Sequence, residues 1–129
     1  MEFIAFDLET TGTTPNKDAI VEIGAVRFQG AKPEVGFGKL INPRIPIPDD
    51  ASKVNGITNE MVVNAPFIEE VLDEFTDFCG DLPLVAHNAS FDFKFLLADI
   101  NRLSSRAPTG FVLDTLSLAR KVFPGLANY

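Results

Sequence analysis

The run Phe3-Ile4-Ala5-Phe6, followed at once by Asp7-Leu8-Glu9, constrains this chain more than any other segment. Four apolar residues in a row read as a buried strand. Side chains alternate along a strand, so Asp7 and Glu9 share a face, roughly 7 Å apart along the chain. Two converging acids at the end of a buried strand repel each other, and a divalent metal is the obvious compensation.

The segments that follow place this strand in a sheet. Gly12, Pro15 and Asn16 make the stretch from Thr10 to Asp18 a loop. Ile20 to Phe28 reads as a second strand turned by Gly30, and Val35 to Ile41 as a third, bulged or at an edge because Gly36 and Gly38 interrupt it. Short turns between the three predict an antiparallel meander. Three prolines between Pro43 and Pro48 forbid a helix there, and short helical turns are expected between Ser52 and Val63. Pro66 is placed as the first residue of a helix that carries Ile68, Val71, Leu72, Phe75, Phe78 and Cys79 on one face and ends at Gly80. Its other face, Glu69, Glu70, Asp73, Glu74 and Asp77, reads as solvated. Leu84-Val85-Ala86 is a short buried strand, Ser90 caps a helix from Phe91 to about Asn101, and Phe111-Val112-Leu113 is a fifth strand. Asp114 caps a last helix, Thr115 to Val122. The order β-β-β-α-β-α-β-α implies a mixed α/β sheet with packed helices and right-handed crossovers.

With 129 residues, 46% of them hydrophobic and 22% charged, one soluble domain is the default. The net charge of −7 and the scattered Lys and Arg argue against a polyanion-binding face unless bound cations or a partner supply the attraction. The one cysteine, Cys79, excludes an internal disulfide or a Cys-based zinc site and reads as a buried structural thiol. No basic region precedes the first apolar stretch and no apolar run approaches the ~18 residues of a membrane span, so no membrane partner and a cytoplasmic location are expected.

The second informative segment is His87-Asn88-Ala89-Ser90-Phe91-Asp92, which leaves a short strand and opens a helix. If the first and fourth strands are neighbours, Asp92 in the first helical turn faces Asp7 and Glu9. Three carboxylates around one cavity suit Mg²⁺ or Mn²⁺, hard ions that prefer oxygen. Each piece alone has a plainer reading. Asp-x-Glu is commonly surface charge, Asp92 a helix-start residue, His87 a hydrogen-bonded structural histidine and Asp114 a cap. Glu22, inside an apolar strand, needs a partner, and a structural ion pair is expected ahead of a role beside the site. Asn88-Ala89-Ser90 matches a glycosylation sequon by chance.

Together, Asp7-Leu-Glu-Thr-Thr-Gly12 and His87-Asn-Ala-Ser-Phe-Asp92 resemble the DEDD superfamily of 3'→5' exonucleases, in the branch that uses a histidine base. Its members include the epsilon-type proofreading exonuclease of bacterial DNA polymerase III, ribonuclease T and oligoribonuclease. Ile20 to Val26, Gly56 to Met61, Asn64 to Pro66 and Leu113 to Leu116 are similar to family segments too, so the resemblance covers nearly the whole chain. It implies a ribonuclease H-like fold with a mixed five-stranded sheet in the order 3-2-1-4-5, residues 1–129 forming one exonuclease domain. It implies two divalent ions, Mg²⁺ or Mn²⁺, held by Asp7, Glu9 and Asp92 as the catalytic carboxylates. Substrate contacts are implied for Thr10, Thr11, Gly12, Gly56, Ile57, His87, Asn88 and Phe91. The partners implied are the 3' end of single-stranded DNA and DNA polymerase III. The family usually has His before Gly-Ile-Thr, where this chain has Asn55.

One departure stands out. The family's third motif, a histidine and then an aspartate on a later helix, has no counterpart, since His87 is the single histidine and belongs to the second motif. A domain incomplete at its C-terminus, with the C-terminal helices missing, is the expected explanation. A catalytically dead chain and a helix supplied by a second chain are the alternatives. A cavity or an exposed apolar strip where that helix would pack is expected. The alternative functions are an RNA-trimming exonuclease and a non-catalytic module that binds nucleic-acid ends or a polymerase. An aspartyl-phosphate phosphatase needs Asp where Glu9 stands and leaves the second motif unexplained. This polypeptide alone is expected to show weak or no exonuclease activity. Incubation with Mn²⁺ and a 5'-labelled single strand checks this, and rapid laddering from the 3' end would refute it.

Overall fold

The structure, a computed structural model, describes residues 1–126; Ala127, Asn128 and Tyr129, at which the sequence stops, lie outside the described residues. β1 (Glu2–Thr10), β2 (Ile20–Gln29) and β3 (Lys32–Leu40) form the antiparallel meander expected from their short turns. β4 (Leu84–Ala86) pairs with β1 in parallel, and β5 (Val112–Asp114) pairs with β4 in parallel. The five-stranded sheet therefore has the order β3-β2-β1-β4-β5, as the resemblance implied. α1 (Asp49–Asn55) and α2 (Asn59–Val62) are the short helices of the β3–β4 connection. α3 (Ile68–Cys79) and α4 (Ala89–Leu103) are the long ones, and α5 (Thr115–Val122) follows β5.

Strand alternation divides β1 into two functional faces. Ile4, Phe6 and Leu8 are buried on one face against Val71, Leu72, Phe75 and Cys79 of α3 and Phe95, Leu96 and Ile100 of α4. Ala5, Asp7 and Glu9 point the other way and are more accessible. The helical spacing of α3 buries the face the sequence marks out. Burial pushes the Cys79 thiol up to about 12, against the opposing influence of Arg27, so it is a packing residue and not a nucleophile. The acidic outer face of α3 meets scattered cations: Arg44 on Glu69, Arg106 on Asp73 and Asp77, and Lys39 on Glu74. A second core of Val21, Ile47, Ile57 and Val62 fastens the α1–α2 segment to the sheet.

α3 starts later than the sequence predicts. The Pro66 carbonyl accepts the Asn42 N–H at 2.9 Å, so it is not the first acceptor of the helix; Phe67 takes the N-cap position. At the far edge, Phe111, Leu113, Leu118, Val122, Phe123 and Leu126 are exposed, and α5 buries none of its residues. Among the described residues no helix is long and apolar enough to cross a membrane.

The α4–β5 connection runs against the start of β4 at Gly110. A Cβ there would overlap the Leu82 carbonyl, a backbone atom that cannot swing aside. Gly110→Ala is expected to cost about 1–3 kcal/mol of stability, read as a lower urea midpoint at unchanged slope.

Candidate active site

The ladder between β1 and β2 shifts register between Glu9 and Thr10. This break ends the strand and turns Thr10 to Gly12 away from the sheet. Asp7 is exposed and Glu9 half-buried at that strand end. Glu22 lies directly opposite Glu9 on β2, on the same face. The ion pair expected for Glu22 is not formed: among the described residues no Lys or Arg bridges to it, and the residue it faces across the ladder is another acid, Glu9. Burial pushes the Glu9 carboxyl up, and the charges of Asp7 and Glu22 add to the shift.

Asp92 comes to this corner on the first turn of α4 and is only 4% exposed. Burial pushes its carboxyl up to about 7, with further contributions from Asp7, then Glu9, then Asp114. Its Oδ2 is buried without a hydrogen-bond partner. The structure thus brings together the three acids marked in the sequence, and the charges of Asp7 and Glu9 both bear on Asp92. Among the described residues, no three acidic, histidine or cysteine side chains close tightly enough to form a ready cluster for one ion. An all-oxygen donor set with one orphaned buried carboxylate oxygen fits a hard divalent cation.

The start of α4 differs from expectation. Ser90 does not cap it; the N-cap is Asn88, in the left-handed region at φ 59°, and its side chain makes no capping bond. The missing acceptor comes from another element. Asp114 Oδ1 accepts the Asn88 N–H at 3.0 Å and the Leu116 N–H of its own helix at 2.9 Å. Burial pushes the Asp114 carboxyl up, yet the N–H donors of Leu116, Ala89, Ser117 and Asn88 together outweigh it and hold the group below the usual carboxylate range. Asp114 is a cap, as the sequence suggests, but it serves two helices.

A cleft of about 370 Å³ opens beside the acids, between the end of β1 and α1. Glu9, Thr10, Thr11, Gly12 and Phe91 line it. Gly56 and Ile57 are placed elsewhere: Gly56 is the left-handed C-cap of α1, and Ile57 is 3% exposed in the second core. The wall they were expected to supply is built by Asp50, Ala51, Val54 and Asn55 of α1. Val54, an apolar side chain at the cleft, is 87% exposed, and its place there is not legible in the sequence. Asn55 Nδ2 donates to the Thr10 carbonyl at 3.3 Å while its Oδ1 accepts the Ile57 N–H at 3.0 Å, so it ties α1 to the strand end. Thr11 closes the adjoining loop: its N–H donates to the Ala19 carbonyl and its hydroxyl accepts the Ala19 N–H. A Cβ at Gly12 would run into the Asp18 carboxyl, whose Oδ2 is fixed by the Thr14 N–H at 2.9 Å. His87 is exposed, with Nδ1 3.0 Å from the Thr115 hydroxyl, and with Asn88 it marks the β4–α4 junction.

A family model described as Exonuclease (RNase_T) matches residues 4–129. The chain is 43% identical over 127 residues to the DNA polymerase III subunit epsilon of Treponema pallidum, aligning 98% of itself with 59% of that protein. It is 44% identical over 128 residues to the PolC-type DNA polymerase III of Caldanaerobacter subterraneus subsp. tengcongensis, aligning 99% of itself with only 9% of that much longer chain. Among solved structures, exonuclease X in complex with 5' overhanging duplex DNA superposes with a TM-score of 0.79 at 31% identity, over 98% of this chain and 68% of that one.

The Asp92 shift has a stability consequence. Its folded pKa is raised, so its favourable contribution is present at low pH and is lost as pH rises from the ordinary carboxylate range through about 7. In EDTA at pH 8, Asp92→Asn is expected to be more stable than wild type by on the order of 2 kcal/mol, and the gap should close by pH 4. Urea titrations at the two pH values check this.

Proposed function

Because this chain belongs to the exonuclease family whose model spans residues 4–129, we propose that it removes nucleotides from the 3' end of single-stranded DNA by metal-dependent phosphodiester hydrolysis. The observation that carries the reading is the meeting of Asp7, Glu9 and a buried Asp92 whose Oδ2 lacks a hydrogen-bond partner, with Glu9 also lining the Thr10–Gly12 cleft. Asp7, Glu9 and Asp92 would hold two divalent ions, Mg²⁺ or Mn²⁺. When bound, the ions supply an activated water and charge neutralisation at the scissile phosphate. The rest falls to the protein. The cleft takes the terminal nucleotide, with Phe91 and Val54 offering apolar contact to a base splayed out of its stack.

Two relatives carry DNA polymerase III in their names. We extend the reading accordingly: the chain acts as a proofreading exonuclease beside DNA polymerase III in the cytoplasm. A net charge of −7 fits a protein whose substrate is delivered by a partner and held through cations.

The test uses enzyme in excess over a 5'-labelled single strand, with Mn²⁺ and long incubation. Slow shortening by single nucleotides from the 3' end is expected, abolished by EDTA and by Asp7→Ala, Glu9→Ala or Asp92→Ala. Internal cuts, release from the 5' end, or shortening that survives these substitutions would sink the proposal.

A further inference from the structure

The geometry points to Asp114 as the positioning residue of this site: its carboxylate fixes where α4 begins and so where Asp92 stands. The inference rests on the reading of Asp92 as a metal-holding group. Asp114 sits at the end of β5, beside Ala86 at the end of β4. Its Oδ1 takes the Asn88 N–H at 3.0 Å and the Leu116 N–H at 2.9 Å, and its Oδ2 takes the Ser117 hydroxyl at 3.3 Å. The next residue reinforces the grip. The Thr115 hydroxyl lies 3.0 Å from His87 Nδ1 and 3.4 Å from the Ala86 carbonyl. Asp114 and Thr115 thus hold consecutive residues from Ala86 to Asn88, four positions short of Asp92.

Asn88 shows why such a grip is needed. A non-glycine residue at φ 59° and ψ 51° costs about 1 kcal/mol or more and persists only where its surroundings impose it. Its own side chain supplies no cap. Without the Asp114 acceptor the strained residue can relax, and the helix would then start where Ser90 could cap it. A one- or two-residue change in that start rotates the first turn and carries Asp92 away from Asp7 and Glu9. Asp114 also repels Asp92, so its help to the site lies in geometry and not in local charge.

Charge and geometry separate cleanly by substitution. Asp114→Asn keeps an oxygen acceptor at the same place and removes the charge; Asp114→Glu keeps the charge and displaces the acceptor. Mn²⁺ affinity of the full chain, measured by electron paramagnetic resonance, and amide exchange at Asn88 and Ala89 are the two readouts. Asp114→Ala and Asp114→Glu are expected to weaken Mn²⁺ binding about tenfold and to expose both amides, while Asp114→Asn stays within about twofold of wild type. The Asn and Glu variants decide the matter if the Ala variant does not fold. Asp114→Glu binding as wild type, or Asp114→Asn failing as Ala does, overturns the inference. Ser117→Ala loosens only the α5 side of Asp114 and is expected to change neither readout; a matching loss there also overturns it. If Asp92→Asn leaves Mn²⁺ affinity unchanged, the metal reading is what fails, and amide exchange alone then decides whether Asp114 sets the start of α4.

Discussion

Repulsion among carboxylates that the fold forces together is the interaction on which this molecule turns. Asp7, Glu9, Glu22 and Asp92 converge where the sheet ends, and none of them has a basic partner among the described residues. Left to themselves, such groups would swing into water or take up protons. They stay because each is mounted on an element whose other face is buried in a core that cannot shift cheaply. Asp7 and Glu9 alternate with Phe6 and Leu8, and Asp92 shares α4 with Phe95, Leu96 and Ile100. Core packing therefore opposes electrostatics, and the residual tension is what makes the corner attractive to a cation.

Two kinds of fastening keep this arrangement in register. Within the sheet, backbone pairing from Glu2↔Gln29 to Glu9↔Glu22 sets the acids of β1 to within the precision of a strand ladder. Between elements, single side chains do the work: Asn55 joins α1 to Thr10, Thr11 joins the two ends of the following loop, and Asp114 joins β5 to the start of α4. The cations on the outer face of α3 play no part in the site. They are exposed pairs of the kind that contributes little to stability.

Much of this could be read from the amino acids, and the boundary is instructive. Period-two alternation put Asp7 and Glu9 on one face, and helical spacing put Val71, Leu72, Phe75 and Cys79 in the core; both depend only on near neighbours in the chain. The start of α4 could not be read, because its cap acceptor, Asp114, lies 26 residues beyond Asn88. The start of α3 failed for the same reason, since the Pro66 carbonyl is claimed by Asn42. Glu22 was expected to find a cation and meets Glu9 instead, which only the strand register discloses. The cleft wall fell one turn away from the Gly56-Ile57 pair because Ile57 is apolar enough to be drawn into the second core, which leaves α1 to face outward.

Gly12 brings a last consequence. Nothing in its backbone angles demands glycine; the demand comes from Asp18, packed across the space a side chain would fill and pinned there by Thr14. The loop from Thr11 to Ala19 is closed at its ends by the paired Thr11 and Ala19 bonds, and Gly12 both lines the cleft and faces Asp18. A side chain at position 12 would have to displace the Asp18 carboxyl from the Thr14 N–H, so a change made at the cleft wall would be felt first in the loop behind it, and not at Asp7, Glu9 or Asp92.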